Sequence, residues 1–165
     1  RNMDLSKEAA WEQMIDEKSE INWIMLGFPG RDLELIGMGS GGMFEMKEHF
    51  NVAEVQFAAF KVQGVDERSN VISRRNKFVG VTWIGEELPA LKRSRAFVNK
   101  ATVQALFTGL AIELEYNACE CPPPDLTMES VGAKLLACGG AHKPIYYDFG
   151  NDQQITVEEL QNVDE

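Results

Sequence analysis

The alternation of hydrophobic and polar positions is most informative between residues 73 and 107. A near-continuous apolar run at residues 78–84 is too short for a helix and rich in Val, Trp and Ile, which predicts a central strand buried on both faces. An acidic turn at residues 85–87 follows, and residues 90–107 then show the periodicity of an amphipathic helix. We expect the rest of the fold to be built around this strand and helix.

Projection of the predicted helix at about 100° per residue separates two faces. One face carries five apolar residues: Leu91, Phe97, Val98, Ala101 and Ala105. The opposite face carries four cations: Lys92, Arg93, Arg95 and Lys100. Two further apolar residues, Leu106 and Phe107, depart from the apolar side. The first group is therefore predicted to pack on the core, and the second to form a cationic surface.

The remaining elements follow from the same kind of pattern. Helices are predicted over residues 7–17, 43–50 and 125–138, and strands over residues 21–28, 32–36, 54–62 and 110–116. Ser6 should cap the first helix, whose buried stripe is Ala10, Trp11 and Met14. Residues 63–76 are polar and are predicted to form a hairpin loop between two strands.

The order of these elements predicts the fold class. A strand, a helix and a strand in succession form a right-handed crossover, so the strands at 77–84 and 110–116 should be parallel. The prediction is a single α/β (α+β) domain, with a mixed sheet of five to six strands and helices on both faces.

Composition restricts the class of protein and its compartment. The chain has 165 residues, of which 44% are hydrophobic and 25% charged, as expected for one globular domain. The N-terminal residues lack an apolar segment of signal-peptide type, and no stretch reaches transmembrane length. Three cysteines, an odd number, are explained most simply by a reducing compartment. We expect a cytoplasmic monomer.

Charge is distributed unevenly along the chain. Eight Lys and Arg lie between residues 68 and 100 against two acids, whereas the whole chain carries a net charge of −10. A face selected only for solubility has no reason to oppose the sign of the protein, so this basic patch predicts binding to an acidic partner. The overall acidity, without an aromatic stacking platform, argues against nucleic acid.

Two alternatives invoke a small ligand. Residues 37–42 satisfy the glycine pattern of a dinucleotide-binding loop, which would make the chain a nucleotide-binding enzyme, although the preceding strand alternates acid and leucine instead of being buried. Residues 148–159 fill the first, fifth, eighth and twelfth places of a calcium loop with Asp148, Asp152, Ile155 and Glu159. Glycine at its third place and Gln153 at its sixth weigh against calcium regulation.

A zinc site and a catalytic site have weaker support. Cys119, Cys121, Cys138 and His142 are the residue types that bind zinc, but their spacing lacks the usual C-x₂-C hook, and free thiols are the simpler interpretation. No nucleophile elbow and no phosphate loop with lysine is present. We therefore expect no enzyme activity, no cofactor and no metal.

The central strand and helix also resemble a known family. The residues Lys77-Phe78, then Val81-Thr82-Trp83-Ile84-Gly85-Glu86 and a basic helix, are similar to the actin-depolymerising-factor homology (ADF/cofilin) family, and most of all to its coactosin branch. Asn22-Trp23, the glycines before the second helix and Gly139-Gly140-Ala141 extend the resemblance. It covers residues 4–143, the expected ADF-homology domain of gelsolin/cofilin-like fold, and leaves residues 144–165 as an acidic tail that we expect to be flexible.

The resemblance implies a function and the residues that perform it. It implies a non-enzymatic protein of the cytoskeleton that binds the side of filamentous actin with little severing; weak binding of monomeric actin stays open. Lys77 matches the filament-binding lysine of the family, with Arg74 and Arg75 beside it. The basic start of the actin-facing helix is matched by Lys92, Arg93 and Arg95, and Lys100 extends the predicted patch.

Overall fold

The computed structural model describes residues 4–140 and 143–162. Within these ranges the strands are β1 (Trp23–Gly27), β2 (Glu34–Gly39), β3 (Val55–Arg68), β4 (Val71–Gly85), β5 (Leu110–Ala118), β6 (Tyr146–Asp148) and β7 (Gln154–Thr156). The helices are α1 (Lys7–Ile15), α2 (Gly42–Met46), α3 (Ala90–Val98), α4 (Lys100–Leu106), α5 (Met128–Cys138) and α6 (Val157–Asn162), and a 3-10 turn at Lys47–His49 follows α2. In the part of the chain so described, no helix is both long and apolar enough to cross a membrane.

All seven strands belong to one mixed sheet. Its main path runs β2-β1-β3-β4-β5, with β6 added beside β3 and β7 beside β6. Every pair is antiparallel except β4 and β5, which are parallel and are joined through α3 and α4. The predicted fold class and the predicted parallel pair are therefore confirmed.

Helices cover both faces of the sheet, and each face has its own core. On one face α2, α5 and α6 pack over Trp23, Phe60 and Trp83. On the other face α1, α3 and α4 pack over residues that include Ile24 and Phe57. Because successive side chains of a strand point to opposite faces, β1 and the second half of β4 supply both cores and are almost wholly buried.

The first helix matches its prediction closely. The backbone N–H of Ala9 donates to the Ser6 hydroxyl at 3.0 Å, so Ser6 caps α1 as expected. Ala10, Trp11 and Met14 form its buried stripe. The helix ends at Ile15, two residues earlier than predicted, and Asp16 follows in an extended conformation.

The predicted loop at residues 63–76 is wrong. β3 and β4 continue as paired strands to Arg68 and Val71, and the connection between them is a two-residue turn at Ser69 and Asn70. Both turn residues have positive φ, 50° and 68°, which matches the twist of a tight hairpin. We call the extended hairpin, residues 63–76, the arm. Its polar residues suggested a loop, but strands need few apolar side chains where they extend beyond the core.

The expectation of a flexible tail is also wrong, as far as residue 162. β6 pairs with Gln63–Val65 of the arm, and α6 packs on α5. The segment is anchored by five side chains in the main core: Tyr147, Phe149, Ile155, Val157 and Leu160. We call residues 143–162 the C-terminal segment; the rest of the predicted tail, 163–165, lies outside the described residues. The folded domain therefore extends well past the predicted boundary at residue 143.

Candidate functional site

The orientation of α3 reverses the sequence prediction. Leu91, Phe97 and Val98, which were predicted to lie in the core, are 86%, 76% and 76% exposed. The buried residues are instead Ala96 on α3 and Val103 and Phe107 on or just after α4. Ala101 and Ala105 are exposed as well. The predicted core face is thus the solvent face, and an apolar strip runs along it.

Two of the predicted surface cations are held against the fold. The Arg93 guanidinium donates to the backbone carbonyls of Leu88 at 3.2 Å and Glu86 at 2.9 Å. The Arg95 guanidinium lies 4.8 Å from the ring centroid of Phe28, a cation–π contact. Both side chains are half-buried. Arg93 stabilises the approach to α3 because it satisfies two carbonyls there, and Arg95 attaches the last turn of α3 to the ring of Phe28.

The other two cations of this helical segment are exposed. Lys92 and Lys100 lie outside the apolar strip, one near the start of α3 and one at the start of α4. The two helices are separated at Asn99, whose side-chain amide donates to the carbonyl of Arg95 at 2.8 Å. We call the exposed Leu91, Phe97 and Val98, together with Lys92 and Lys100, the α3 surface. It is an apolar patch with exposed cations beside it.

Arg74 lies on the arm and is already paired. Its Nη1 contacts the Asp148 carboxylate at 3.0 Å and the Gln63 side-chain oxygen at 3.2 Å. Asp148 is itself oriented, since its other oxygen accepts from the backbone N–H of Gly150 at 2.8 Å. The C-terminal segment therefore fixes the direction of Arg74, which was predicted to lie in a loose loop.

Arg75 and Lys77 project from the opposite face of the arm. Side chains alternate along β4, so Arg74 points to the sheet face that carries α3, and Arg75 and Lys77 point to the face that carries α5. They line a small cavity of about 70 Å³ beside Tyr147. Burial, and secondarily Cys138, raises the pKa of Tyr147 to about 12, so this phenol stays neutral. The predicted patch is thus divided between two faces of the sheet.

The glycine-rich residues 37–42 lack the geometry of a dinucleotide site. The N–H of Gly41 donates to the Glu45 carboxylate at 3.1 Å, and the N–H of Gly42 donates to the Asn22 side-chain oxygen at 2.7 Å. These donors would have to bind the phosphates, and β1 and β2 are antiparallel where the dinucleotide fold needs parallel strands. An open depression of about 660 Å³ beside the loop includes two acidic residues, Glu34 and Glu45, in its lining, which disfavours an anionic ligand.

The residues of the predicted calcium loop have other partners. Asp148, at the first place, pairs with Arg74. Glu159, at the twelfth place, accepts from the backbone N–H and hydroxyl of Thr156 at 3.2 and 3.0 Å, while its own N–H donates to the Thr156 hydroxyl. This reciprocal pair is a capping box at the start of α6. The two carboxylates serve the fold, in an ion pair and a helix cap.

The cysteines do not assemble a metal site within the described ranges. Cys119, Cys121 and Cys138 are free and exposed, and the Cys138 thiol donates to the carbonyl of Leu135 at 3.3 Å. Over residues 4–140 and 143–162, no three His, Cys, Asp or Glu side chains are grouped as metal ligands. The fourth predicted zinc ligand, His142, lies outside the described residues.

Comparison with known proteins identifies the family. The sequence model of the family of cofilin/tropomyosin-type actin-binding proteins matches residues 2–136. The chain belongs to this family. Among cofilin-type relatives, the coactosin of Dictyostelium discoideum is 29% identical over 137 residues, 81% of this chain and 88% of that protein. The coactosin of Entamoeba histolytica is also 29% identical, over 143 residues, 84% of this chain and 91% of that protein.

Solved structures agree on the cofilin-type fold. The crystal structure of the Entamoeba histolytica coactosin has a TM-score of 0.67 at 24% identity and covers 81% of this chain and 94% of that chain. The crystal structure of human coactosin-like protein has a TM-score of 0.63 at 20% identity and covers 79% of this chain and 92% of that chain. The predicted resemblance to coactosins is confirmed. Family membership makes the chain a non-enzymatic actin-binding protein.

Sequence reasoning missed the apolar half of the α3 surface. A signal for the true orientation is present, because Ala96, Val103 and Phe107 recur at spacings of seven and four, the repeat of one helix face. The prediction assigned the other face to the core because that face carries the larger residues Leu91, Phe97 and Val98. The family match ends at residue 136, so it gave no signal for the C-terminal segment.

Proposed function

We propose that this protein binds the side of filamentous actin through the α3 surface and the cations of the arm, and that it does so with little severing. The observation that carries the proposal is the outward orientation of Leu91, Phe97 and Val98 on α3. Three large apolar side chains at this degree of exposure do not contribute the free energy that their burial would give to folding. A contiguous exposed apolar patch marks an interaction surface. Membership of an actin-binding family identifies the partner class.

The apolar strip supplies the affinity in this proposal. Fully burying a Leu, Val or Phe side chain contributes about 1.5–3 kcal/mol, so two or three of them account for much of a micromolar interaction. A strip on a helix fits an apolar groove, with anchors at the spacing of successive turns. Phe97 is the natural anchor, since it is the aromatic residue of the strip and aromatic side chains are enriched in interface cores.

The cations supply orientation and association rate. The protein carries a net charge of −10, which opposes approach to an acidic filament unless positive groups face it. The exposed Arg75, Lys92 and Lys100 and the half-buried Lys77 are the candidates for contact with the filament. Arg74, Arg93 and Arg95 act in part by holding neighbouring parts of the fold in shape. We expect a cytoplasmic monomer associated with the actin cytoskeleton, and weaker binding of monomeric actin.

Co-sedimentation with filamentous actin tests the proposal. We expect the protein to pellet with filaments at low salt, and filament lengths seen by fluorescence microscopy to change little. Phe97→Ser should remain mostly in the supernatant, while Thr102→Ala, a change at an exposed position of α4, should pellet like the unchanged protein. A wild-type protein that stays in the supernatant at low salt contradicts filament binding. Rapid shortening of filaments contradicts the proposed lack of severing.

A further inference from the structure

The α3 surface contains a serine at its centre. Ser94 is exposed, and its hydroxyl donates to the carbonyl of Leu91 at 2.8 Å. Its neighbours on the helix face, at three and four positions before and after, are Ala90, Leu91, Phe97 and Val98, all of them exposed. Ser94 is thus the polar centre of an otherwise apolar strip.

The neighbours of Ser94 along the chain are basic, in contrast to its apolar neighbours on the helix face. Lys92 and Arg93 precede it directly and Arg95 follows it, so the extended chain presents three cations around one hydroxyl. Protein kinases select substrates by such charge patterns, and an acidic kinase cleft would complement this one. In the helix the same cations lie off the strip, and Arg93 and Arg95 are held by Glu86, Leu88 and Phe28.

We propose that Ser94 is a phosphorylation site for a basophilic serine/threonine kinase, and that its phosphorylation releases the protein from actin. The reaction uses ATP: a bond forms between Ser94 Oγ and the γ-phosphorus, and the bridging bond to the β-phosphate breaks. The hydroxyl proton passes to a carboxylate base of the kinase, and ADP leaves. The second half of the proposal rests on the proposed function of the α3 surface.

Access to the kinase follows from the weak anchoring of α3. Ala96 is the one buried side chain of this helix, and its N-cap, Pro89, provides no side-chain hydrogen bond. The contacts of Arg93 and Arg95 are only half-buried, so α3 opens locally at a lower cost than a helix with a fully buried face, and opening presents Ser94 in an extended segment. Once the helix reforms, a phosphate at Ser94 has apolar neighbours along the strip and no cation at helical pairing distance.

The phosphate would act on binding through its charge. It adds about −1.5 to −2 charges at neutral pH to a surface that has to lose its water on docking. A charge buried in an apolar contact without a partner is strongly unfavourable, and an acidic partner adds repulsion. The apolar strip therefore loses its function without any change in the core.

Two measurements on the full chain test this inference. In the first, the protein is incubated with a basophilic kinase and ATP, and mass spectrometry maps the product; we expect Ser94 as the main site. Modification at Ser73 of the arm, with Ser94 unmodified, overturns the proposal. In the second, phosphoserine is incorporated at position 94 during synthesis, with phosphoserine at the exposed Ser40 as the matched control and the phosphatase-treated chain, in which the Ser94 hydroxyl is restored, as the uncharged control.

Co-sedimentation then separates the outcomes. We expect the dissociation constant for filaments to rise about tenfold or more for phosphoserine at 94, and to change little for the two controls. Equal binding of all forms overturns the inference alone. Failure of the unmodified protein to pellet refutes the proposed function, and release by phosphorylation with it. Circular dichroism and amide hydrogen exchange of the phosphorylated chain distinguish release by charge from loss of the fold, which would also overturn it.

Discussion

Phe97 and Phe107 lie on opposite faces of one helical segment, 76% and 4% exposed. Phe107 packs against Trp11 with ring centroids 4.9 Å apart, whereas Phe97 has its ring in solvent. Two phenylalanines about three helical turns apart therefore have different tasks. Phe107 contributes to folding, and Phe97 is available for a partner.

This pair gives a first prediction with an internal control. Phe107→Ala should lower the free energy of unfolding by about 3–5 kcal/mol, because it leaves a cavity beside Trp11. Phe97→Ala should change it by less than about 0.5 kcal/mol, as for most surface changes, yet weaken filament binding. Urea unfolding and co-sedimentation of both variants check this. Equal loss of stability would contradict the orientation of α3.

Ionic strength provides the second prediction. If Arg75, Lys77, Lys92 and Lys100 face an acidic filament, binding should weaken steeply between low and physiological salt, where the Debye length is about 8 Å. The apolar part of the α3 surface should leave a residual affinity at high salt. Co-sedimentation over a salt series measures both parts. Binding that is independent of salt would mean that the cations contribute nothing.

The arm gives the third prediction, which ranks its three cations. Lys77 is half-buried in the middle of β4, so little side-chain entropy remains to be lost when it binds. Arg74 is committed to Asp148, and Arg75 is exposed and must be ordered at a cost of about 0.5–1.5 kcal/mol. Lys77→Ala should therefore weaken binding most, by about 2 kcal/mol if it is a hot spot. Thermal melts serve as the folding control, and equal losses from the three alanine variants would show a diffuse charge effect without an anchor.

Packing of the C-terminal segment gives the fourth prediction. Leu160 is buried against α5, where a Cβ at Gly132 would lie 3.0 Å from its Cδ1. Leu160→Ala should lower the free energy of unfolding by about 2–5 kcal/mol. Glu158→Ala, at an exposed position of the same helix, should change it little. If the C-terminal segment were loosely attached, both variants would leave the free energy of unfolding nearly unchanged.

Alkaline pH gives the fifth prediction. Burial raises the pKa of Tyr147 from its ordinary value of 10.0 to about 12, and burial aided by Asp125 does the same for Tyr116. Above pH 10 the unfolded chain loses these protons before the folded one, so the contribution of the two phenols to stability should be complete below pH 10 and be lost from 10 to 12. Tyr147→Phe should fall less steeply over that window in urea unfolding. An unchanged slope would mean that the phenol is hydrated in the fold.

The sequence predicted the elements whose patterns serve folding alone. Ser6 and the stripe of α1 were predicted correctly because a cap and a buried face have no second task. The parallel pairing of β4 and β5 follows from chirality and was also predicted. The two cores were implied by the runs at residues 23–27 and 78–84, where every position is apolar or small.

The errors occur where side chains serve a partner or where contacts are distant in sequence. The α3 prediction assumed that large apolar residues are buried, and a surface that binds a partner violates that assumption. The C-terminal segment looked disordered because Asp, Asn and Gln surround Phe149 and Ile155. Its order depends on β3, more than eighty positions earlier in the chain, and no local pattern reports that pairing.

The pairing of β6 with β3 also determines when the domain can complete its native packing. During translation, Gln63–Val65 and the apolar surface under Tyr147 are synthesised long before the residues that cover them. The nascent chain therefore carries an open strand edge until α6 has left the ribosome, and open edges promote aggregation. Native packing of this domain is consequently completed only after residues 143–162 have emerged, even though its central strand and helix are complete much earlier.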